Sequence, residues 1–92
     1  MATLHIEHPI TDYTTWRTAF DNFAEVRHHA GVIGERVERP VDDPRYIVVA
    51  LEFTSIERAG AFLQFLETQV WPSPAASPGL DGRPRTAILE PA

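Results

Sequence analysis

A chain of 92 residues with two Trp, two Tyr and five Phe has the apolar content of one folded domain, expected to span 1–92. The absence of cysteine removes disulfides, thiolate metal sites and cysteine nucleophiles together, and it suits a reducing, cytoplasmic compartment. A net charge of −5, with no lysine and eight scattered arginines, lacks the basic patch that nucleic-acid binding relies on, so no nucleic-acid partner is expected.

Thr3 to His8 alternates Leu4, Ile6 and His8 with Thr3, His5 and Glu7, the period of a strand, which Pro9 closes. This start lacks the basic head and apolar stretch of a signal peptide. Tyr13, Trp16, Ala19, Phe20, Phe23, Val26 and Ala30 then recur at helical spacing and predict one helix over 13–30. Asp12 suits its N-cap, Arg17 and Asp21 an exposed ion pair, and Gly31 a left-handed C-cap behind His28 and His29. A second strand is expected at 32–39, with Gly34 marking a bulge. Pro40, Asp42, Asp43 and Pro44 form a turn into a third strand at 45–53, apolar on nearly both faces and therefore central. Its run Ile47–Leu51 is the longest wholly apolar stretch, far short of the roughly 20 residues that span a bilayer, so no membrane association is expected.

Thr54 and Glu57 have capping-box spacing ahead of a helix over 55–70, whose apolar face holds Ala59, Phe62, Leu63, Leu66 and Val70 before Pro72 ends it. Residues 71–84, with four prolines and two glycines, form an irregular connection with one short turn at Pro74–Ala76. A last strand is expected at 85–90.

This order predicts an α+β ferredoxin-like βαββαβ domain: a four-stranded antiparallel sheet with two helices on one face. Leu4, Ile6, Ile47, Val49, Leu51, Ala87 and Leu89 are assigned to the helix side. His5, Glu7, Arg36, Glu38, Tyr46, Val48, Ala50, Glu52 and Ile88 are assigned to the opposite, mixed face. Such a face suits a homodimer whose two sheets share a partly polar interior.

The stretch His8-Pro9-Ile10-Thr11-Asp12-Tyr13-Thr14-Thr15-Trp16, then Phe20-Asp21, Arg27 and Gly31, resembles the first half of small proteins of the dimeric α+β barrel superfamily. Glu52-Phe53, leading into a helix with Ala59 and Phe62, continues the likeness, which covers about residues 4–66. The superfamily includes cofactor-independent antibiotic-biosynthesis monooxygenases, polyketide cyclases and isomerases, with haem-binding relatives and members of no known activity. The resemblance implies a homodimer with a pocket between sheet and helices in each subunit, and no cofactor. Val70–Pro84, which borders that pocket, departs from the family's pattern.

His8 points toward the helices beside Trp16 and Phe20, where an imidazole can act as a general base; the alternative is a packed histidine satisfied by a backbone carbonyl. Trp16, Phe20, Phe62 and Trp71 are the candidate walls for a flat hydrophobic ligand, although Trp16 lies squarely on the apolar face of the first helix and reads first as core, and Trp71 as a pocket rim or dimer contact. No metal site is expected. His28 and His29 diverge by about 100° on a helix, and His5 with Glu7 lacks a third ligand and is explained as well by a cross-strand pair with Arg36. Ser55, Ser73 and Ser77 lack a nucleophile elbow. Two functions remain open: a cofactor-independent oxygenase, cyclase or isomerase on a hydrophobic aromatic compound, with a pocket of about 300 Å³ or more, or a non-catalytic dimeric module whose interior is filled.

Overall fold

The computed structural model describes residues 1–92. In chain order the elements are β1 (Ala2–Pro9), α1 (Tyr13–Asn22), α2 (Ala24–Ala30), β2 (Gly34–Glu38), β3 (Tyr46–Phe53), α3 (Ile56–Phe65), a π-helical turn (Leu66–Val70) and β4 (Arg85–Leu89). The four strands form one antiparallel sheet in the order β2-β3-β1-β4, the ferredoxin-like arrangement, with the helices on one side. No helix is long and apolar enough to cross a membrane.

The core follows from strand parity. Ala2, Leu4, Ile6 and His8 of β1 are buried together with Ile47, Val49, Leu51 and Phe53 of β3, because antiparallel partners share a face. Helix residues Trp16, Ala59 and Phe62 close this layer from the other side. The residues between them on β1 and β3 face away from the helices and are only partly buried.

Several expectations need correction. The helix over 13–30 breaks at Phe23 (φ −95°, ψ 11°) into α1 and α2. There the Phe23 N–H bonds the Phe20 carbonyl at 3.2 Å, one residue short of the α-helical partner, and the Arg27 guanidinium donates to that same carbonyl. No bulge occurs at Gly34, which pairs in continuous register from Glu52 onward. The cap of α3 is Ser55, whose Oγ accepts from Arg58 N–H at 3.2 Å, so the cap lies one residue beyond Thr54 and the Thr54–Glu57 box does not form. In β4 the parity is reversed: Ile88 pairs with Leu4 on the helix side, while Ala87 and Leu89 pair with His5 and Thr3 on the outer face. Ala87, Ile88 and Leu89 are all apolar and carry no alternation of their own, so only pairing with β1 sets their direction. Asp12 caps α1 through Thr15 N–H at 2.8 Å, Arg17 pairs with Asp21 at 3.1 Å, and Gly31 adopts φ 98°, each as the sequence predicts.

Gly60 lies inside α3, where glycine weakens a helix, and a methyl added there would meet only Ile88 Cδ1 at 3.9 Å. Gly60→Ala is therefore expected to stabilise the fold by roughly 0.5–1 kcal/mol, seen as a higher urea midpoint at unchanged slope. A lower midpoint would mean that α3 lies closer to the β4 edge than this packing allows.

Candidate functional site

A cavity of about 90 Å³ lies between the helix side of the sheet and the helices. His8, Trp16, Phe20, Phe62 and Trp71 all line it, so the five residues singled out from the sequence converge on one space. Strand parity delivers His8, at the end of β1, to the helix side. Helical spacing delivers Trp16 and Phe20, whose rings stack at 4.9 Å between centroids. Phe62 leans on Phe53 at 5.9 Å. The π-helical turn, closed by Trp71 N–H to the Leu66 carbonyl at 2.8 Å, carries Leu66, Val70 and Trp71 along one wall. Such wide turns recur at functional sites.

The fourth wall is the irregular connection. Gly79 there (φ 88°) presses on the first turn of α1, and a Cβ would sit 3.0 Å from the Trp16 backbone nitrogen, so a side chain is doubly disfavoured. The predicted turn at Pro74–Ala76 is present, with Ala76 and Ser77 N–H donating to the Ser73 carbonyl at 3.1 and 2.9 Å.

His8 is 4% exposed and makes one hydrogen bond, from Nδ1 to the Pro9 carbonyl at 2.8 Å. A carbonyl only accepts, so Nδ1 carries the proton. Burial in this apolar setting holds the imidazole pKa below its ordinary value, against a smaller opposing effect of the Pro9 bond, and favours the neutral ring. Nε2 is then a lone-pair acceptor; it has no partner in the protein and is not among sealed polar atoms. Both readings of His8 therefore fit one ring: one nitrogen is satisfied by the backbone, and the other is unpartnered on a residue that lines the cavity. Trp16 sits edge-on to it at 6.4 Å.

Arg27 also lines the cavity, a role the sequence reading did not assign. Its guanidinium bonds Glu35 at 2.8 Å, donates to the Phe20 carbonyl and lies 3.6 Å from the Phe20 ring centroid. The signal was available: Arg27 follows Phe23 by four and Phe20 by seven, a lone charge on the apolar stripe. Ser77 and Pro78 could not be placed from sequence, because the connection has no period.

On the outer face, Glu7 accepts from His5 Nε2 at 2.8 Å and from Tyr46 Oη at 2.8 Å, with Arg85 at 3.9 Å. These two hydrogen bonds, His5 first, lower the Glu7 pKa, and the same carboxylate raises that of Tyr46. The expected pairing with Arg36 does not form; Arg36 bonds Glu38 instead, at 3.1 Å. No three His, Asp or Glu side chains are grouped to hold a metal ion.

Neither a family model nor a curated protein matches the sequence. Three solved structures share the fold. Protein Atu4242 of Agrobacterium tumefaciens is 12% identical, with a TM-score of 0.66 over 100% of this chain and 94% of its own. A monooxygenase from the gene ActVA-Orf6 of Streptomyces coelicolor, solved with nanaomycin D, is 16% identical, with a TM-score of 0.64 over 99% of this chain and 87% of its own. A candidate antibiotic biosynthesis monooxygenase of Nitrosomonas europaea is 13% identical, with a TM-score of 0.61 over 96% and 88%. At these identities the likeness establishes the fold, which is the one the sequence resemblance implied.

The buried imidazole makes a pH prediction. A histidine whose folded pKa is lowered binds fewer protons folded than unfolded, so its contribution is intact above about pH 6.5 and is lost as pH falls toward the lowered value. The Glu7 contribution, also from a lowered pKa, is intact above about pH 4.5 and is lost as pH falls from there through the lowered value. Denaturation midpoints of the unaltered protein relative to His8→Gln should therefore drop on going from pH 7.5 to 5.5. A constant difference over that interval would show that His8 is not desolvated.

Proposed function

We propose that this chain, built on the fold of the monooxygenase structures above, binds a small, flat, largely apolar compound bearing an acidic hydroxyl. The ligand lies between sheet and helices against Trp16, Phe20, Phe62 and Trp71, with its hydroxyl donating to His8 Nε2. The observation that carries this reading is the unpartnered Nε2 of His8, a residue on the wall of an aromatic cavity.

The chemistry follows from that nitrogen. When the ligand O–H passes its proton to Nε2, the ligand becomes an oxyanion and His8 an imidazolium, with Nδ1–H still held by the Pro9 carbonyl. Burial penalises an isolated imidazolium, so the proton stays only while the oxyanion lies beside it. An electron-rich oxyanion held in a water-poor pocket is a starting point for cofactor-independent oxygenation, cyclisation or isomerisation.

The volume favours a second reading. About 90 Å³ is well below the roughly 300 Å³ of ordinary ligand pockets, so a ring enters only if the wall moves. If the wall does not move, the chain is a non-catalytic dimeric module with a filled interior.

In either reading we place it in the cytoplasm as a homodimer joined through the outer sheet faces. Val48 and Ala50 at the centre of that face, with Leu89 48% exposed at its edge, support the assembly. Ile88, on the helix side, takes no part in it.

Two experiments separate these readings. Quenching of Trp16 and Trp71 fluorescence by 1,5-dihydroxynaphthalene should saturate. Phe62→Trp should abolish the saturable quench by filling the cavity, while His8→Ala should keep binding and lose the shift in the ligand's ionisation. No saturable quench with the unaltered protein would leave the filled module standing. For assembly, sedimentation at micromolar concentration should give about twice the 10.3 kDa chain mass, and Val48→Arg should return it to one. A 10.3 kDa species from the unaltered protein would exclude the dimer.

A further inference from the structure

The wall most able to move is the connection itself. Between Pro72 and Pro78 no hydrogen bond reaches the sheet or α1; those present are local, such as Ser73 N–H to the Val70 carbonyl at 3.1 Å. Both ends are fixed. The π-helical turn holds Trp71, and beyond Pro78 the chain bonds the exit of β1, with Thr11 N–H to the Gly79 carbonyl at 2.8 Å and Asp81 N–H to the Pro9 carbonyl at 3.1 Å. The segment is a strap tied at two points, with no hydrogen bond to α1 where Ala76 and Pro78 come beside Ala19 and Phe23.

Outside that contact lies an open groove of about 460 Å³ between α1 and the strap. Ala19, Phe23, Ala76 and Pro78 line both the groove and the cavity, so a seam one side chain thick separates them. The polar side chains of the groove are Thr14, Thr15, Thr18 and Asn22, with no charged residue among its walls. Thr14, Thr18 and Asn22 follow one another at four-residue spacing along α1, and Thr15 lies three before Thr18.

Resting on the cavity reading above, we infer that the ligand enters through the seam between α1 and the strap. The groove is then the outer half of the site and takes an uncharged substituent rich in hydroxyl or amide groups. Parting Ala76 and Pro78 from Ala19 and Phe23 joins the small cavity to the groove, which resolves the shortage of volume. His8 Nε2, on a side chain almost wholly buried, fixes the inner end of the ligand. Threonine hydroxyls and an amide exchange hydrogen bonds with neutral polar groups but offer no counter-charge to a sulfate or phosphate.

The probes are 1,5-dihydroxynaphthalene, its mono-β-glucoside and its monosulfate ester, each retaining one free hydroxyl for His8. The glucoside should bind about tenfold more tightly than the parent ring, and the sulfate no more tightly. Thr14→Val/Thr18→Val should bring the glucoside-to-parent ratio back toward one. The chain has no cysteine, so Ala19→Cys/Ala76→Cys gives a unique pair. Tying it with a short bismaleimide should slow entry of the parent ring at least tenfold. Parent binding with no glucoside advantage, or unchanged entry into the tied protein, would overturn this inference alone. Failure of the parent ring to bind the unaltered protein would overturn the cavity reading and the groove with it.

Discussion

The alternation of β1 is the constraint on which the rest of the molecule depends. β1 pairs with β3 along its whole length and with β4 on its other edge, so its parity sets the direction of side chains across the centre of the sheet. Ala2, Leu4 and Ile6 turn inward as core, and the same period turns His8 inward where the strand ends. A slip of one residue would put His5 and Glu7 against the helices and leave Leu4 and Ile6 in water. The buried histidine is thus enforced by the same apolar burial that makes the fold.

Around His8 the packing is aromatic and its supports are polar. Trp16 stacks on Phe20, Phe20 lies against the Arg27 guanidinium, and Arg27 is anchored by Glu35 on β2. The break at Phe23 belongs to this arrangement, since the Phe20 carbonyl accepts from both Phe23 N–H and Arg27. A buried arginine held this way is a strut whose donors are largely engaged, which leaves His8 Nε2 as the free basic nitrogen on the cavity wall. The opposite wall differs in kind, because the strap is held by its ends.

Much of this was legible in the sequence because β1, β3 and the two helical stripes have clean periods. Spacing put His8, Trp16, Phe20 and Phe62 on the faces between sheet and helices, the family resemblance implied the pocket there, and Asp12 and Gly31 fixed the ends of the first helical region. The failures have physical causes. The break at Phe23 coincides with a Phe20 carbonyl shared by Phe23 N–H and Arg27, a hydrogen-bond choice that apolar spacing does not show. β4 is a short edge strand with three consecutive apolar residues, so its parity was set by its neighbour. Glu7 found Tyr46 and Arg85 across the sheet, while Arg36 found Glu38 on its own strand, a choice that spacing does not make. The cavity's volume was not legible at all, since it depends on how an aperiodic segment rests on α1.

The most direct test of a neutral His8 with a free acceptor nitrogen is the nitrogen-15 spectrum of its imidazole at pH 7. The predicted pattern in the free protein is a neutral ring with Nδ1 protonated and Nε2 bare, with a large shift of Nε2 toward the protonated range when a phenolic ligand is added. In the free protein, a neutral ring protonated at Nε2 would contradict the Pro9 hydrogen bond, and a charged imidazolium would contradict the acceptor role drawn for Nε2.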